Sequence, residues 1–154
     1  MNKVKIVDGK QYMDQVKNLI LEYTDRLGRD LTFQNLDEEL KNPTKKYTPP
    51  EGEILIVVDE NEVLGMVAYH KHSEFCCEMK RLYVKPSCRG MKLGEKLISE
   101  LLQHAKKAGY KEMVLDTIVP LQSAIHLYKK FGFVECEAYY YNPMPDVLYF
   151  RKTL

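Results

Sequence analysis

Residues 78–94, with the sequence EMKRLYVKPSCRGMKLG, constrain the fold of this chain more than any other stretch. The pattern predicts a strand that ends near Val84, then a tight turn with two glycines, then the start of a long helix. The first backbone N–H groups of a helix lack intrahelical partners and lie at the positive end of the helix dipole. Because Arg89 and Lys92 add positive charge, the turn predicts an anion site that suits a diphosphate. Plain strand-to-helix connections show the same pattern, so the turn is either an anion site or a plain connector.

The remaining apolar patterns predict one α/β domain over residues 1–154. Strand patterns occur at residues 4–7, 53–59, 63–71, 75–84, 113–117, 133–138 and 147–151. Helical stripes occur at residues 11–27, 36–40, 93–108 and 120–131, and residues 43–52 predict a loop. This order predicts an antiparallel meander followed by a strand–helix–strand unit.

The charge balance bears on the class of partner. Lysine and arginine total 23 and aspartate and glutamate total 22, so there is no bulk basic field and we expect no nucleic-acid ligand. No apolar run approaches the roughly 18 residues that span a bilayer, and the first residues lack a signal-peptide core. We therefore expect a cytoplasmic protein that does not act on a membrane.

The cysteines and histidines show no metal-binding spacing. No Cys-x-x-Cys pair occurs, and Cys76 and Cys77 as neighbours on a strand would point to opposite faces. Reduced thiols that pack in the protein are the expectation for all four cysteines. The sequence predicts no metal.

Two separated motifs resemble a known enzyme family. The turn at residues 89–94 (RGMKLG) matches Arg/Gln-x-x-Gly-x-Gly/Ala, and the strand before it ends in the Val-x-Pro of residues 84–86. Farther on, residues 124–128 (AIHLY) and 132–133 (GF) match Ala-Ile-x-Leu-Tyr-x-x-x-Gly-Phe. Together these motifs are similar to those of the GNAT superfamily of N-acetyltransferases, over essentially the full length of the chain.

More narrowly, the chain resembles a bacterial branch of that superfamily whose substrates are not characterised. The shared segments are residues 46–52 (KYTPPEG), 77–84 (CEMKRLYV) and 139–143 (YYYNP). The resemblance implies the GNAT fold, a mixed and mostly antiparallel sheet of about seven strands flanked by about four helices. It also implies transfer of an acetyl group from the cosubstrate acetyl-CoA to a primary amine of a small molecule or peptide, by direct attack in a ternary complex.

By the same resemblance, the cofactor-binding residues fall on two segments. The acetyl and pantetheine end is assigned to Leu82, Tyr83 and Val84, and the pyrophosphate to Arg89, Gly90, Met91, Lys92, Leu93 and Gly94. Two positions depart from the family pattern. Lys92 replaces the usual first glycine, so a positive φ there would strain the backbone. Leu121 replaces a frequent asparagine, so one side-chain contact to the cofactor is either missing or supplied by Gln122 or Ser123.

The resemblance also implies catalytic roles. Tyr128 matches the tyrosine that protonates the departing thiolate; the alternative is a core residue on the apolar face of its helix. Glu78 is the candidate general base, with a pKa raised by burial; the alternative is a salt-bridged surface pair. By strand alternation Lys80 shares the face of Glu78 and would lower that pKa, whereas Arg81 would point to the opposite face.

The acceptor side is predicted from aromatic and charged residues. The candidate substrate-binding residues are Tyr47, Arg81, Tyr140 and Asn142. Aromatic rings could hold a cationic amine, or they could simply pack a core. Arg81 or Lys80 could bind a substrate carboxylate.

Two other function classes compete with the enzyme. A non-catalytic acyl-CoA sensor with the same fold is the alternative that Lys92 and Leu121 favour. A Rossmann-like nucleotide binder is excluded because the full Gly-x-Gly-x-x-Gly is absent and an antiparallel meander precedes the turn.

A homodimer through the last strand is a further possibility.

Overall fold

A computed structural model describes residues 4–29 and 36–154, and these residues form a seven-stranded sheet of order β1-β2-β3-β4-β5-β7-β6. The strands are β1 (Val4–Asp8), β2 (Glu53–Asp59), β3 (Glu62–Lys71), β4 (Cys76–Val84), β5 (Glu112–Ile118), β6 (Val134–Cys136) and β7 (Val147–Thr153). All neighbouring strands are antiparallel except β4 and β5, which are parallel. The predicted mixed and mostly antiparallel sheet of seven strands is confirmed.

Helices cover both faces of this sheet. They are α1 (Met13–Leu27), α2 (Leu36–Lys41), α3 (Pro43–Lys46), α4 (Leu93–Lys107) and α5 (Gln122–Lys130). The loop predicted at residues 43–52 is wrong at its start, where α3 forms a single helical turn. The strand predicted at residues 133–138 is shorter than expected, because β6 pairs with β7 only at three positions.

Each face of the sheet packs against its own apolar cluster. On one face Leu97, Ile98 and Leu101 of α4 are buried in a cluster that extends to α5. On the other face Val16 and Ile20 of α1 are buried in a second cluster. Because the central strands are covered on both faces, they are apolar at consecutive positions instead of alternating.

The parallel pair β4–β5 separates partway along its length. Cys76–Glu78 pairs with Glu112–Val114, and no pairing continues beyond these three residues. Residues 79–84 of β4 and 115–118 of β5 therefore leave one another and open a gap in the middle of the sheet. This gap positions the candidate site.

A β-bulge lies on the β3 side of the same segment. The register shifts between the pair Ala68–Lys80 and the pair Met66–Tyr83, and Arg81 has a φ of 62°. The bulge turns the Arg81 side chain to the same side of the sheet as Lys80. The prediction that Arg81 points to the opposite face is therefore wrong, because simple strand alternation does not hold through a bulge.

Two further observations bear on the predictions from composition. None of the helices formed by residues 4–29 and 36–154 combines the length and apolarity needed to cross a membrane. Within the same ranges no three histidine, cysteine or acidic side chains come together as a metal site, and the four cysteines are free thiols.

Candidate active site

A cavity of about 610 Å³ occupies the gap between β4 and β5. Gly94 of α4 and Tyr128 of α5 line it on one face of the sheet, and Tyr23 and Leu27 of α1 line it on the other. The cavity is therefore a slot that passes through the sheet. Two ligands entering from opposite faces can meet inside it.

The turn before α4 presents a row of unused backbone donors. The N–H groups of residues 90–95 donate to no acceptor among the residues that the structure describes. Gly90 has a φ of 91° and open space where a side chain would begin, whereas a Cβ added at Gly94 would lie 3.3 Å from Leu127 Cδ1. With a 15-residue helix behind it, this open cradle of amides suits an anion.

Most residues of the turn line the cavity. Those that do are Arg89, Gly90, Lys92, Leu93 and Gly94. Met91 does not, because its side chain packs against the apolar cluster of α4. Met91 can therefore contribute its backbone N–H but not its side chain.

Lys92 adopts the left-handed conformation that a glycine would take without cost. Its φ is 59° and its ψ is 29°, and its side chain makes no capping hydrogen bond. A left-handed conformation costs a residue with a Cβ about 1–2 kcal/mol. The expected strain at this departure from the family pattern is thus present in the backbone.

The β4 edge of the gap offers further backbone donors. Lys85 donates its N–H to Leu64 O of β3 at 2.9 Å. Beyond the bulge, alternation holds again, because Leu82 and Val84 pack on the α4 side and Tyr83 on the α1 side. The N–H groups of Leu82 and Val84 therefore point away from β3, into the gap. Across the gap, the buried Oγ1 of Thr117 has no hydrogen-bond partner in the described chain and its residue also lines the cavity. An extended ligand with amide groups would satisfy these atoms.

The remaining predicted cofactor residues, Tyr83, Gln122 and Ser123, also line the cavity. The Tyr83 hydroxyl donates to Glu22 Oε2 at 2.6 Å, so this side chain is committed to α1. Gln122 begins α5 and donates its Nε2 to Val119 O. Ser123 is exposed and lies in the first turn of α5.

Tyr128 combines a packing role with a hydroxyl at the cavity. Its ring contacts Phe133 and Phe150 at centroid distances of 6.0 and 6.3 Å, and the residue is 6% exposed. Its hydroxyl has no hydrogen-bond partner within the described ranges. Burial raises the pKa of Tyr128, and the neighbouring Tyr23 and Asp116 raise it further. The phenol therefore holds its proton at neutral pH.

Glu78 lies in a buried hydrogen-bonded network beside the cavity. His70 Nε2 lies 2.7 Å from Oε1, the Tyr139 hydroxyl donates to Oε2, and Lys80 Nζ lies 3.8 Å from Oε1. Burial would raise the pKa of Glu78, but the bond with His70, the charge of Lys80 and the bond from Tyr139 outweigh it and lower the pKa to about 2. The predicted rise is wrong. Glu78 does not line the cavity, and a carboxylate with this pKa is a weak base.

Arg81 and Tyr47 are held by one buried carboxylate. Arg81 donates from Nε and Nη2 to Glu39 at 2.9 and 3.0 Å, and Tyr47 donates to Glu39 Oε1 at 3.0 Å. All three residues are at most 4% exposed. Arg81 lines the cavity with its charge already paired, and Tyr47 does not reach the cavity. Neither is placed to bind a substrate as the sequence predicted.

Asp116 is a candidate site residue that the sequence analysis missed. It lines the cavity, and its Oδ2 accepts hydrogen bonds from the Tyr140 hydroxyl and from Asn142 Nδ2, the latter at 2.7 Å. Of the two predicted substrate-binding residues on this segment, Asn142 lines the cavity, whereas Tyr140 does not line it and bonds to Asp116. A carboxylate within the apolar run of β5 was the signal that could have identified it.

The sequence and the fold were compared with known proteins. The model of the acetyltransferase (GNAT) family matches residues 14–133. An uncharacterised N-acetyltransferase of the fission yeast Schizosaccharomyces pombe is 52% identical over 98% of this chain and 94% of that protein. Another, from Dictyostelium discoideum, is 31% identical over 97% of each chain. The predicted restriction to bacteria is not supported, since so similar a relative is a yeast protein.

Solved structures share the whole fold. A GNAT acetyltransferase from Staphylococcus aureus Mu50 matches with a TM-score of 0.81 at 19% identity, covering 97% of this chain and 98% of that one. A Salmonella typhimurium protein solved with its cofactor acetyl-CoA matches with a TM-score of 0.72 at 16% identity, covering 99% and 94%.

Proposed function

Because the chain belongs to the acetyltransferase (GNAT) family, we propose that it transfers the acetyl group of acetyl-CoA to a primary amine by direct attack in a ternary complex. The observation that carries the proposal is the slot through the sheet. One end of the slot has helix amides that are free among the described residues, its middle has backbone donors at the β4 edge, and Tyr128 lines it from α5. A cytoplasmic location, where acetyl-CoA is made and used, is part of the proposal.

The residues on the α4 side fit acetyl-CoA. The diphosphate would take the free amides of residues 90–95, and the pantetheine amides would pair with Leu82, Val84 and the orphaned Thr117 hydroxyl. The Salmonella typhimurium protein of the same fold, solved with acetyl-CoA, supports this choice of cosubstrate. Acetyl-CoA supplies an acyl group that is already activated as a thioester.

The side chains at the slot account for the proton movements. The ammonium first gives one proton to water or to a carboxylate in the slot, after which its nitrogen forms the C–N bond with the acetyl carbon while the C–S bond breaks. The N–H groups at the β4 edge stabilise the charge that develops on the carbonyl oxygen. Tyr128 gives its proton to the departing sulfur and regains one from the nitrogen, and its raised pKa keeps it protonated until that moment.

The experiment is a coenzyme A thiol-release assay with a panel of primary amines, paired with calorimetry of acetyl-CoA binding. In Tyr128→Phe the ring contacts with Phe133 and Phe150 remain, so we expect kcat to fall by about 100-fold while the Kd for acetyl-CoA changes less than threefold. Tyr141→Phe is the matched control, because that side chain is 81% exposed and does not line the cavity.

Two outcomes would contradict the proposal in different ways. A protein that ignores acetyl-CoA in calorimetry would exclude acetyl transfer altogether. A protein that binds acetyl-CoA but releases no thiol with any amine would be the non-catalytic sensor.

The proposed homodimer through the last strand is tested by the molar mass in solution, and it must use the part of β7 that the three residues of β6 leave uncovered.

A further inference from the structure

Lys80 is a buried cation whose hydrogen-bond donors are unused. Its side chain is 7% exposed and lines the cavity from β4. Its ammonium makes no hydrogen bond to any residue in the ranges 4–29 and 36–154; the nearest carboxylate, Glu78, is 3.8 Å away. That carboxylate already bonds to His70 and Tyr139. A buried ammonium is costly unless its donors are satisfied, so the donors of Lys80 call for an anion from the cavity.

The charges around Lys80 also leave room for an anion. On this side of the sheet three buried or half-buried cations adjoin two buried carboxylates; they are Lys46, Lys80 and Arg81, against Glu39 and Glu78. Burial and the charge of Lys80 lower the pKa of Lys46, which shows how crowded the positive charges are. Counted without Asp116, which lies across the gap on β5, the described charges of this cluster lack one negative charge.

Asp116 offers the opposite charge on the other side of the gap. Both hydrogen bonds that it accepts from side chains fall on Oδ2, so Oδ1 has no side-chain partner in the part of the chain that the structure describes. The residue lines the cavity, and its charge acts on the Tyr128 hydroxyl. An ammonium bound at Oδ1 would therefore lie near the acid of the proposed reaction.

The Lys80 ammonium and the Asp116 carboxylate both contact the Tyr140 side chain. Lys80 Nζ lies 5.8 Å from the centroid of the Tyr140 ring, and the hydroxyl of that ring bonds to Asp116. Lys80 and Asp116 are on diverging strands and do not pair with each other. The gap thus holds a positive and a negative group that both contact the same phenol.

Resting on the acetyl transfer proposed above, we propose that the acceptor is a free α-amino acid, with its carboxylate bound by Lys80 and its ammonium by Asp116. A zwitterion places its carboxylate on the Lys80 ammonium and its ammonium on Asp116 Oδ1. It also brings no net charge into the site. A simple amine would leave the N–H donors of Lys80 without a hydrogen bond. A diamine would set like charges against each other, and a peptide N-terminus has no carboxylate next to its amine.

This placement assigns the first proton transfer. The ammonium gives one proton to the Asp116 carboxylate, and the neutral amine then forms the C–N bond with the acetyl carbon. As the C–S bond breaks, the Tyr128 proton passes to sulfur and a proton from nitrogen returns to Tyr128. Asp116 then releases its proton to solvent, so the sum is an N-acetyl amino acid, a thiol and one proton.

The test compares each of the common amino acids with its own amide, which keeps the amine and lacks the carboxylate. Acetyl-CoA binding is measured first by calorimetry, and thiol release is then measured at an equal concentration of the protonated amine, which is the form that Asp116 would bind. For the best acceptor we expect kcat/KM of the acid to exceed that of the amide by about 10- to 100-fold, as for a charged hydrogen bond.

Three variants and one control variant sharpen the comparison. Lys80→Met should bring the acid-to-amide ratio down to near one, and Lys80→Arg should restore part of it. Asp116→Asn should lower kcat/KM for both members of the pair, because both carry the ammonium. Lys71→Met is the control, since that lysine is on the neighbouring strand and exposed. Thermal unfolding confirms that each variant is folded before its kinetics are interpreted.

The outcomes separate this inference from the proposed function. A protein that acetylates amines but shows an acid-to-amide ratio near one remains an acetyltransferase, and the amino-acid acceptor is then wrong. A protein that binds acetyl-CoA but acetylates none of the amino acids overturns the inference as well. A high ratio that Lys80→Met leaves unchanged refutes the role of Lys80.

Discussion

In the proposed function, the two ends of the slot would recognise their ligands with different parts of the polypeptide. The turn of residues 89–94 offers backbone amides, a glycine cradle and exposed basic side chains. The end that faces α1 offers charged side chains, the buried Lys80 and the half-buried Asp116, whose surroundings are set by contacts within the fold. Backbone recognition depends on local geometry and so leaves a short motif in the sequence. Side-chain recognition depends on residues brought together from distant strands and loops, and it leaves none.

The largest effect is expected from removing one partner of a buried ion pair at the acceptor end, the end of the slot that faces α1. Arg81→Met leaves Glu39 buried without its bidentate partner, and breaking a buried ion pair in this way costs about 3–5 kcal/mol. Urea unfolding measures the loss. The double variant Arg81→Met with Glu39→Gln removes both charges and should recover much of the stability. A single variant as stable as the parent would show that the pair is not needed for folding.

A second large effect is expected from pH. Because the folded-state pKa of Glu78 is about 2 against an ordinary value of 4.5, its contribution is complete above pH 4.5 and is lost as the pH falls through 2. The size is about 3 kcal/mol. Glu78→Gln should lack this component, so the difference in unfolding free energy between parent and variant should shrink steadily from pH 5 to pH 2. A difference independent of pH would contradict the network around Glu78.

A smaller effect is expected at the cofactor end, where backbone conformation matters more than side-chain contacts. Lys92→Gly removes the left-handed strain and should stabilise the protein by about 1 kcal/mol. Lys92→Ala keeps the strain and removes the same ammonium, so it serves as the matched control. Thermal or urea unfolding compares the two. Equal stabilities would mean that the turn is not strained.

The smallest effect is expected from a single charge at the same turn. Arg89 is exposed, so Arg89→Met should weaken acetyl-CoA binding by only about fivefold, and the difference should diminish in high salt. Calorimetry at two ionic strengths measures it. A loss of 100-fold or more would show that a side chain, and not the row of amides, carries the recognition of the diphosphate.

The sequence determined the elements and the cofactor end. The apolar runs predicted all seven strands, and the glycines with the helical stripe from Leu93 predicted the anion cradle, because both depend on neighbouring residues. Motifs at residues 89–94 and 124–133 carried the family, which the matching of its model confirmed.

Only the tertiary structure decided the acceptor end. Arg81 lies on the face opposite to the predicted one because of the bulge in β4. Glu78 has a lowered instead of a raised pKa because His70 and Tyr139 form hydrogen bonds with it. Asp116 lines the cavity because β5 separates from β4. A pKa and a binding role depend on burial and on partners far along the chain. No local pattern contains that information.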